Sequence, residues 1–532
     1  MTATAPRTPS TSRQPAIFDL VFITWAVVIP TVFAARLGNS DGDLARHLRL
    51  GLRALDDGAL VRTDFFSWTK AGQPFLAFEW GSEVLFASLY RLGGLALLSV
   101  FVAVVLAASQ AMLVRFLLRR GVDPLLAYCA SMAAAVVSAV HWVARPHIFT
   151  FLGVALLLPL LEARRGERRQ LWAYALLFIL WANLHGGFVY GLLLIGIYLV
   201  GSVVEWRLGT DRALWPARTR HYALALGVGL AATVVNPNGL GLLVHVFGFF
   251  GKSAIIDYTS EFMSPDFHLL GGKIFLLAIL LVVAALALVP RRPSVPRLLL
   301  VLANLAFALQ SMRNIALFGM TAIPILALHI DQSWRRLPDP GGLKGVFARD
   351  EGRRRAGTWS IAVALAILSL GAAGGKVGPL TLVQDQFDAR EFPVAAVREA
   401  RTAGLHGRLF HEFTWGGYLL LAWPEQKVFI DGGTDHYGEA LFIETINVQT
   451  VAPGWRDTLS SRRVDLVLLP THMTLAHELA REPGWGIWYC DATAVFLQRA
   501  PFSPGRQIPT GPAGAARLWG CYMAGRGANR PT

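Results

Sequence analysis

Runs of roughly 18 or more apolar residues recur along this chain, and that recurrence limits its fold more than any other feature. A helix of that length crosses the ~30 Å hydrocarbon core of a bilayer. The runs lie near 17–35, 93–114, 123–141, 147–162, 171–184, 187–204, 221–235, 272–290, 297–311, 315–330 and 358–375. Read as eleven spans, they predict an α-helical polytopic membrane protein whose membrane domain covers 16–375. The first run, Ala16 to Ala35, is about 20 residues long, against ~7–15 for a signal-peptide core, and reads as an uncleaved span. The Ser/Thr/Pro-rich residues 1–15 before it read as a disordered cytoplasmic tail.

The formal net charge is +14. In a membrane chain that surplus is the Arg and Lys that hold loops inside, so no nucleic-acid partner is expected. The inner connections carry Arg115, Arg119 and Arg120, then Arg164, Arg165, Arg168 and Arg169, then Arg207, Arg212, Arg218 and Arg220. Further inner loops hold Arg291, Arg292 and Arg297, then Arg335, Arg336, Lys344, Arg349 and Arg353–Arg355. The short outer connections carry Arg145, no cation at 185–187, and Arg313. This alternation puts the N-terminus in the cytoplasm, and an odd span count puts everything after 376 outside.

Two outer segments are long, 36–92 and 236–271. The first holds two amphipathic stretches, "ARHLRLGLRALDDG" and "WGSEVLFASLYRLGG", expected to lie in the membrane interface. Residues 376–500 have the composition of a soluble domain. There "GRLFHEF", "KVFIDG", "VDLVLLP" and "WGIWYCD" read as strands, while "PVAAVREAR", "GGYLLLAW" and "TLAHELA" read as helices. That alternation predicts a small extracytoplasmic α/β domain with a largely parallel sheet. The Gly/Pro-rich residues 501–532 read as a loose tail. Cys129, Cys490 and Cys521 show no metal-like spacing and set no disulfide framework; pairing of Cys490 with Cys521 is left open.

Polar motifs gather at the outer helix ends: "HWVARPH" (141–147), "WANLHGG" (181–187), "VVNPNG" (234–239), "SEFMSPDFH" (260–268) and "SMRNIALF" (311–318). Ionisable groups near membrane spans are costly unless they have a task, so one outer face is the expected functional site. "NSDGDLARHLRLG" (39–51) joins them with Asp41 and Asp43, a pair that could share a divalent ion or act as a base. An Asp-x-Asp pair is equally what a solvated, helix-capping loop contains. Glu79 stands between aromatics at the start of the second amphipathic stretch, which is also where a helix start places a Glu. Arg145 and Arg313 suit a phosphate at headgroup depth, or plain lipid-headgroup contact. His147, His185 and His268 are ligand candidates, although a His at a helix end is more often a packing residue.

An acidic pair after the first span, two amphipathic stretches in the first outer loop, eleven spans and an external C-terminal domain resemble the GT-C superfamily. These are membrane glycosyltransferases that use polyprenyl-phosphate sugars. The resemblance implies that the first-loop Asp is catalytic, here Asp43 or, as the alternative, Asp41. "GDLARHLRLGLRAL…VRTDFFSWTKAGQPFLAFEW" also resembles a group of bacterial multi-pass membrane proteins, which implies a bacterial cytoplasmic (inner) membrane. "TWGGYLLLAWPEQKVFIDGGT" (414–434) is similar to the acceptor-recognition segment of oligosaccharyltransferase catalytic subunits. Trp415 and Tyr418 match its Trp-Asp-Tyr-Gly core, but Gly416 stands where that motif has Asp, a departure that bears on recognition of a Ser/Thr sequon. "YTSEF" is similar to a small-x-Glu motif of the same subunits and marks Glu261.

The implied reaction moves a sugar from a polyprenyl-phosphate donor to an acceptor glycan, lipid or protein, with inversion and Asp43 as base. Asp41, His47, Glu79, Arg145, His147, His185, Glu261, Asp266, His268, Arg313, Trp415 and Tyr418 are the expected substrate-binding set. No cofactor follows with certainty; a divalent cation, Mg or Mn, is the candidate, with Asp41, Asp43 and Glu261 as its candidate ligands. En bloc oligosaccharide transfer and a non-enzymatic transporter or envelope-assembly scaffold are the alternatives. Transporters bring charges to the bilayer midplane on paired repeats, and no such repeat is visible.

Overall fold

Each of the eleven apolar runs holds a helix in the computed structural model, which describes residues 15–33, 37–38, 42–163, 168–209, 214–249, 258–351, 357–502 and 508–528. Asp41, the expected tail before Pro15, the centre of the second outer loop (250–257) and Arg164, Arg165, Arg212 and Arg353–Arg355 lie outside the described residues. The helices that follow the runs are α1 (Ile17–Val32), α3 (Trp80–Arg119), α4 (Pro124–Ser138), α5 (Ile148–Leu161), α6 (Arg168–Leu184), α7 (Phe188–Leu208), α8 (Leu214–Ala232), α10 (Leu270–Leu288), α11 (Val295–Gln310), α12 (Asn314–Arg336) and α14 (Thr358–Ala372). Between them lie α2 (Asp43–Asp57), α9 (Leu240–Phe249) and α13 (Leu343–Glu351). Among the described residues, Trp80–Arg119, Pro124–His141, Phe188–Leu208, Leu270–Leu288 and Asn314–Arg336 are long and apolar enough to cross a membrane. Ile17–Val32, Ile148–Leu161, Val295–Gln310 and Thr358–Ala372 are shorter apolar helices.

The second amphipathic stretch and the following run form one helix, α3, broken at Gly93 and Gly94. Gly94 has φ +63°, and a Cβ there would strike the Asp385 carboxylate. Asp385 accepts the Ala96 N–H at 2.9 Å, capping the helix that restarts after the break. Asp19, fully buried in α1, caps α14 in the same way: it accepts the Ser360 N–H at 2.9 Å and the Ser360 hydroxyl at 2.6 Å. These carboxylates satisfy helix ends that apolar packing would leave unpaired.

The C-terminal domain holds α15 (Val394–Thr402), α16 (Trp415–Ala422), α17 (Thr434–Tyr437), α18 (Glu439–Gln449), α19 (Trp455–Ser461), α20 (Thr474–Arg481) and α21 (Gly511–Ala528). A hairpin, β1 (Lys376–Val377) and β2 (Leu380–Thr381), precedes a sheet of β3 (Leu409–His411), β4 (Leu466–Pro470), β5 (Trp485–Cys490) and β6 (Ala494–Arg499). The strand order is β3-β4-β6-β5, with β3 parallel to β4 and the other two ladders antiparallel.

That order corrects the largely parallel sheet: β6 folds straight back on β5, a hairpin the reading missed. "KVFIDG" is not a sheet strand. Val428 instead bonds the first outer loop, donating its N–H to the Phe66 carbonyl at 3.1 Å and accepting from Trp68 N–H at 3.0 Å. The expected loose tail holds α21, tied to β5 by a Cys490–Cys521 disulfide. The first amphipathic stretch forms α2, which is packed on two sides. α2 lies between α3 and α16, with Gly51 against the Glu83 carbonyl and Gly417 against the Gly42 carbonyl, where neither tolerates a Cβ. Its Arg46 and His47 are therefore buried.

Candidate active site

Asp43 is the first residue of α2, and its half-buried carboxylate faces the short loop between α4 and α5. There Arg145 Nη1 lies 3.3 Å from Asp43 Oδ2 and 3.1 Å from Glu261 Oε1. The loop is fixed by Ala144 N–H donating to the Leu37 carbonyl at 2.8 Å and Ile148 N–H to the Arg145 carbonyl at 3.2 Å. Glu261 comes from the second outer loop, which is laced to the turn before α12. Arg313 N–H donates to the Glu261 carbonyl at 3.1 Å, and the Ser311 hydroxyl to the same oxygen at 3.0 Å. The Arg313 guanidinium stacks over Phe262 at 4.8 Å. Burial lowers its pKa, against the fields of Glu261, Glu79 and Asp43 that favour its charge.

One turn further along α2, His47 enters a buried chain of titratable groups. Its Nδ1 is 3.4 Å from Glu83 Oε1 and its Nε2 is 3.7 Å from Glu79 Oε2. Glu79 in turn meets His185 Nε2 at 3.4 Å. Gly187 N–H donates to His185 Nδ1 at 2.9 Å, so Nδ1 accepts and Nε2 carries the hydrogen aimed at Glu79. Burial holds His185 and His147 well below the usual histidine range. It pushes the Glu79 carboxyl up to about 7, opposed by His47 and reinforced by Glu83. His47 itself is lowered by burial but raised more by its bond to Glu83 and the charge of Glu79, with a net rise. His147 bonds the His141 carbonyl through Nε2 at 2.9 Å, and its ring lies 6.4 Å from that of His185.

The C-terminal domain closes the other side. Asp431 Oδ1 pairs with Arg46 Nε at 2.9 Å, and Asp431 also accepts from the Gly433 N–H at 2.7 Å and the Tyr437 hydroxyl at 2.9 Å. Gly432 next to it has no room for a Cβ because the Asp43 carboxylate occupies that place. His245 meets Asp435 at 3.1 Å and His436 meets Asp64 at 3.0 Å, so both outer loops are pinned to the "DGGTDH" turn. Arg46, Glu83, Asp431 and Gly432 were not among the expected site residues. The only sequence signals were a glycine pair after an Asp and a conspicuous Arg on α2.

Asp43, His47, Glu79, Arg145, His147, His185, Glu261 and Arg313 thus share one region. Asp266 and His268 are exposed, and Asp266 accepts the His268 N–H at 2.8 Å at the approach to α10. Trp415 and Tyr418 serve the domain core: Trp415 Nε1 donates to the Glu391 carbonyl at 2.9 Å, and the Tyr418 ring stacks on Phe392 at 4.9 Å. Gly416 faces the Ile430 carbonyl so closely that no side chain fits, which accounts for the missing Asp. Among the described residues no group of three or more His, Cys, Asp or Glu is arranged to hold a metal.

No family model matches the sequence, and no curated protein matches it. Solved structures do. Archaeal oligosaccharyltransferase from Archaeoglobus fulgidus, tethered to an acceptor peptide with an NVT sequon, superposes at TM-score 0.56 and 12% identity over 96% of this chain and 76% of that one. Archaeal oligosaccharyltransferase AglB from Archaeoglobus fulgidus, with an inhibitory peptide and a dolichol-phosphate, gives TM-score 0.51 and 13% identity over 96% and 76%. The chain has the GT-C fold. ArnT from Cupriavidus metallidurans bound to undecaprenyl phosphate is a further neighbour, with TM-score 0.48 and 14% identity over 92% and 99%. The chain shares this fold and, among its described residues, carries five helices long and apolar enough to cross a membrane.

Proposed function

We propose that the protein transfers a sugar from a polyprenyl-phosphate donor to an acceptor on the extracytoplasmic face of a bacterial inner membrane. All eleven apolar helices cross the bilayer in this reading, with the N-terminus inside. The Cys490–Cys521 disulfide supports an oxidising compartment for the C-terminal domain. The observation that carries the function is Asp43 at an outer helix start, facing Arg145 and Glu261 with Arg313 close behind. AglB, which shares the fold, has been solved with a dolichol-phosphate.

In the reaction, the lipid tail lies between spans and the donor phosphate meets Arg145 and Arg313. The acceptor oxygen attacks the anomeric carbon, the bond from that carbon to the phosphate oxygen breaks, and Asp43 takes the acceptor proton. One displacement inverts the anomeric centre. The two guanidinium groups stabilise the extra charge that develops on the departing polyprenyl phosphate. Glu79, His47 and His185 line the deeper wall and orient the sugar. The burial of Trp415 and Tyr418 favours single-sugar transfer over recognition of a peptide sequon at that segment.

The test is transfer by the purified full chain in detergent, using a panel of labelled polyprenyl-phosphate sugars and envelope extracts as acceptors. Label moving into acceptor with wild type, and falling at least 100-fold with Asp43→Asn, supports the reading. Equal transfer by the two proteins overturns it. Labelling of Cys490 and Cys521 by an impermeant maleimide on intact, reduced cells tests the topology; labelling only after lysis reverses it.

A further inference from the structure

We propose that the Arg145 guanidinium is the resident cation of this site, in the place a divalent metal would take between Asp43 and Glu261. Asp43 and Glu261 are the two described members of the acidic set expected to share such an ion. Both carboxylates converge on a single nitrogen, Arg145 Nη1, at 3.3 and 3.1 Å. An ion bridging them would sit ~2.0–2.6 Å from an oxygen of each, within contact of that nitrogen. A dication and a guanidinium cannot share that space.

The guanidinium is not a surface side chain that swings aside. Its side chain is 18% exposed, its own carbonyl accepts the Ile148 N–H, and the Ala144 just before it is held to the Leu37 carbonyl. Charge balance points the same way. Asp43 and Glu261 carry two negative charges and Arg145 and Arg313 two positive ones, so before any donor phosphate binds a dication would leave the half-buried site with an excess of two. Of the nearby histidines, His47 faces Glu83 and Glu79 and His185 faces Glu79, while His147 bonds the His141 carbonyl through Nε2. A guanidinium holds its charge at every physiological pH, matches phosphate geometry, and cannot be removed by a chelator. Besides meeting the donor phosphate, Arg145 therefore balances the charge of Asp43 and Glu261. Its part in transfer rests on the reading above, while its occupancy of the cation place does not.

Manganese titration of the purified full chain, followed by the electron paramagnetic resonance signal of free Mn(II), reads occupancy without any need for activity. Wild type leaves free Mn(II) unchanged at equimolar concentrations of about 100 μM. Arg145→Ala, with an unchanged gel-filtration profile, takes up one Mn(II) per chain, and adding Asp43→Asn removes that uptake. Wild type binding one Mn(II) in an Asp43-dependent way overturns the proposal. So does a folded Arg145→Ala protein that binds none, because the guanidinium would then fill no cation place. Wild-type transfer changes less than twofold in excess EDTA; a tenfold loss overturns the proposal while leaving the transferase reading intact.

Discussion

Arg46 and Asp431 form a buried ion pair, 2.9 Å apart, that joins the first outer helix to the C-terminal domain directly beside Asp43. Removing one partner leaves the other charged and buried, at a cost of about 3–5 kcal/mol, whereas replacing both with apolar residues costs much less. Arg46→Ala and Asp431→Ala each lower the melting temperature in detergent sharply. The Arg46→Met/Asp431→Leu double variant recovers most of the loss, a difference that thermal unfolding measures directly.

Gly432 lets the C-terminal domain approach Asp43, since any Cβ there collides with the Asp43 carboxylate. Gly432→Ala displaces that carboxylate and lowers kcat at least tenfold while the protein still purifies as a folded species. Gly196→Ala, where a Cβ meets nothing within 4 Å, changes neither kcat nor stability.

Burial raises Glu79 from 4.5 to about 7, so between those values the folded protein keeps a proton that the unfolded chain has lost. Stability from this group therefore falls as pH rises through that window. His47, whose folded pKa is raised above 6.5 because Glu83 and Glu79 outweigh burial, loses its contribution as pH rises through that folded value. The two effects have the same sign. Thermal unfolding across pH 5 to about 8 shows a decline for wild type that Glu79→Gln flattens.

The disulfide between Cys490 and Cys521 leaves Cys129 as the free thiol among the described residues. Thiol titration of the denatured chain therefore gives one reactive group before reduction and all three cysteines after it. Cys521→Ser releases α21 from β5 and destabilises the C-terminal domain by about 3 kcal/mol, read as earlier protease cleavage near α21.

The proximity of the site residues was legible from the alternation of apolar runs, which sets Arg145, His147, His185, Glu261 and Arg313 at the same helix ends as Asp43, however far apart they lie in sequence. What covers those helix ends was not legible. An amphipathic pattern shows that α2 has a polar stripe, but not that Arg46 in that stripe meets a buried Asp431. "DGGTDH" reads as a turn, and its two glycines gain meaning only against Asp43 and Arg46. Trp415 and Tyr418 drew notice through a motif likeness, whereas their rings fill a core that periodicity alone could not outline. β6 was missed because the turn from Cys490 to Ala494 is too short to separate two strands by composition.

The most direct measurement is the lipid-linked sugar profile of a deletion strain complemented with wild type or Asp43→Asn. The account predicts that the variant, present in the membrane at wild-type level, accumulates a polyprenyl-phosphate sugar and lacks the matching glycan product. A profile indistinguishable from wild type would contradict it.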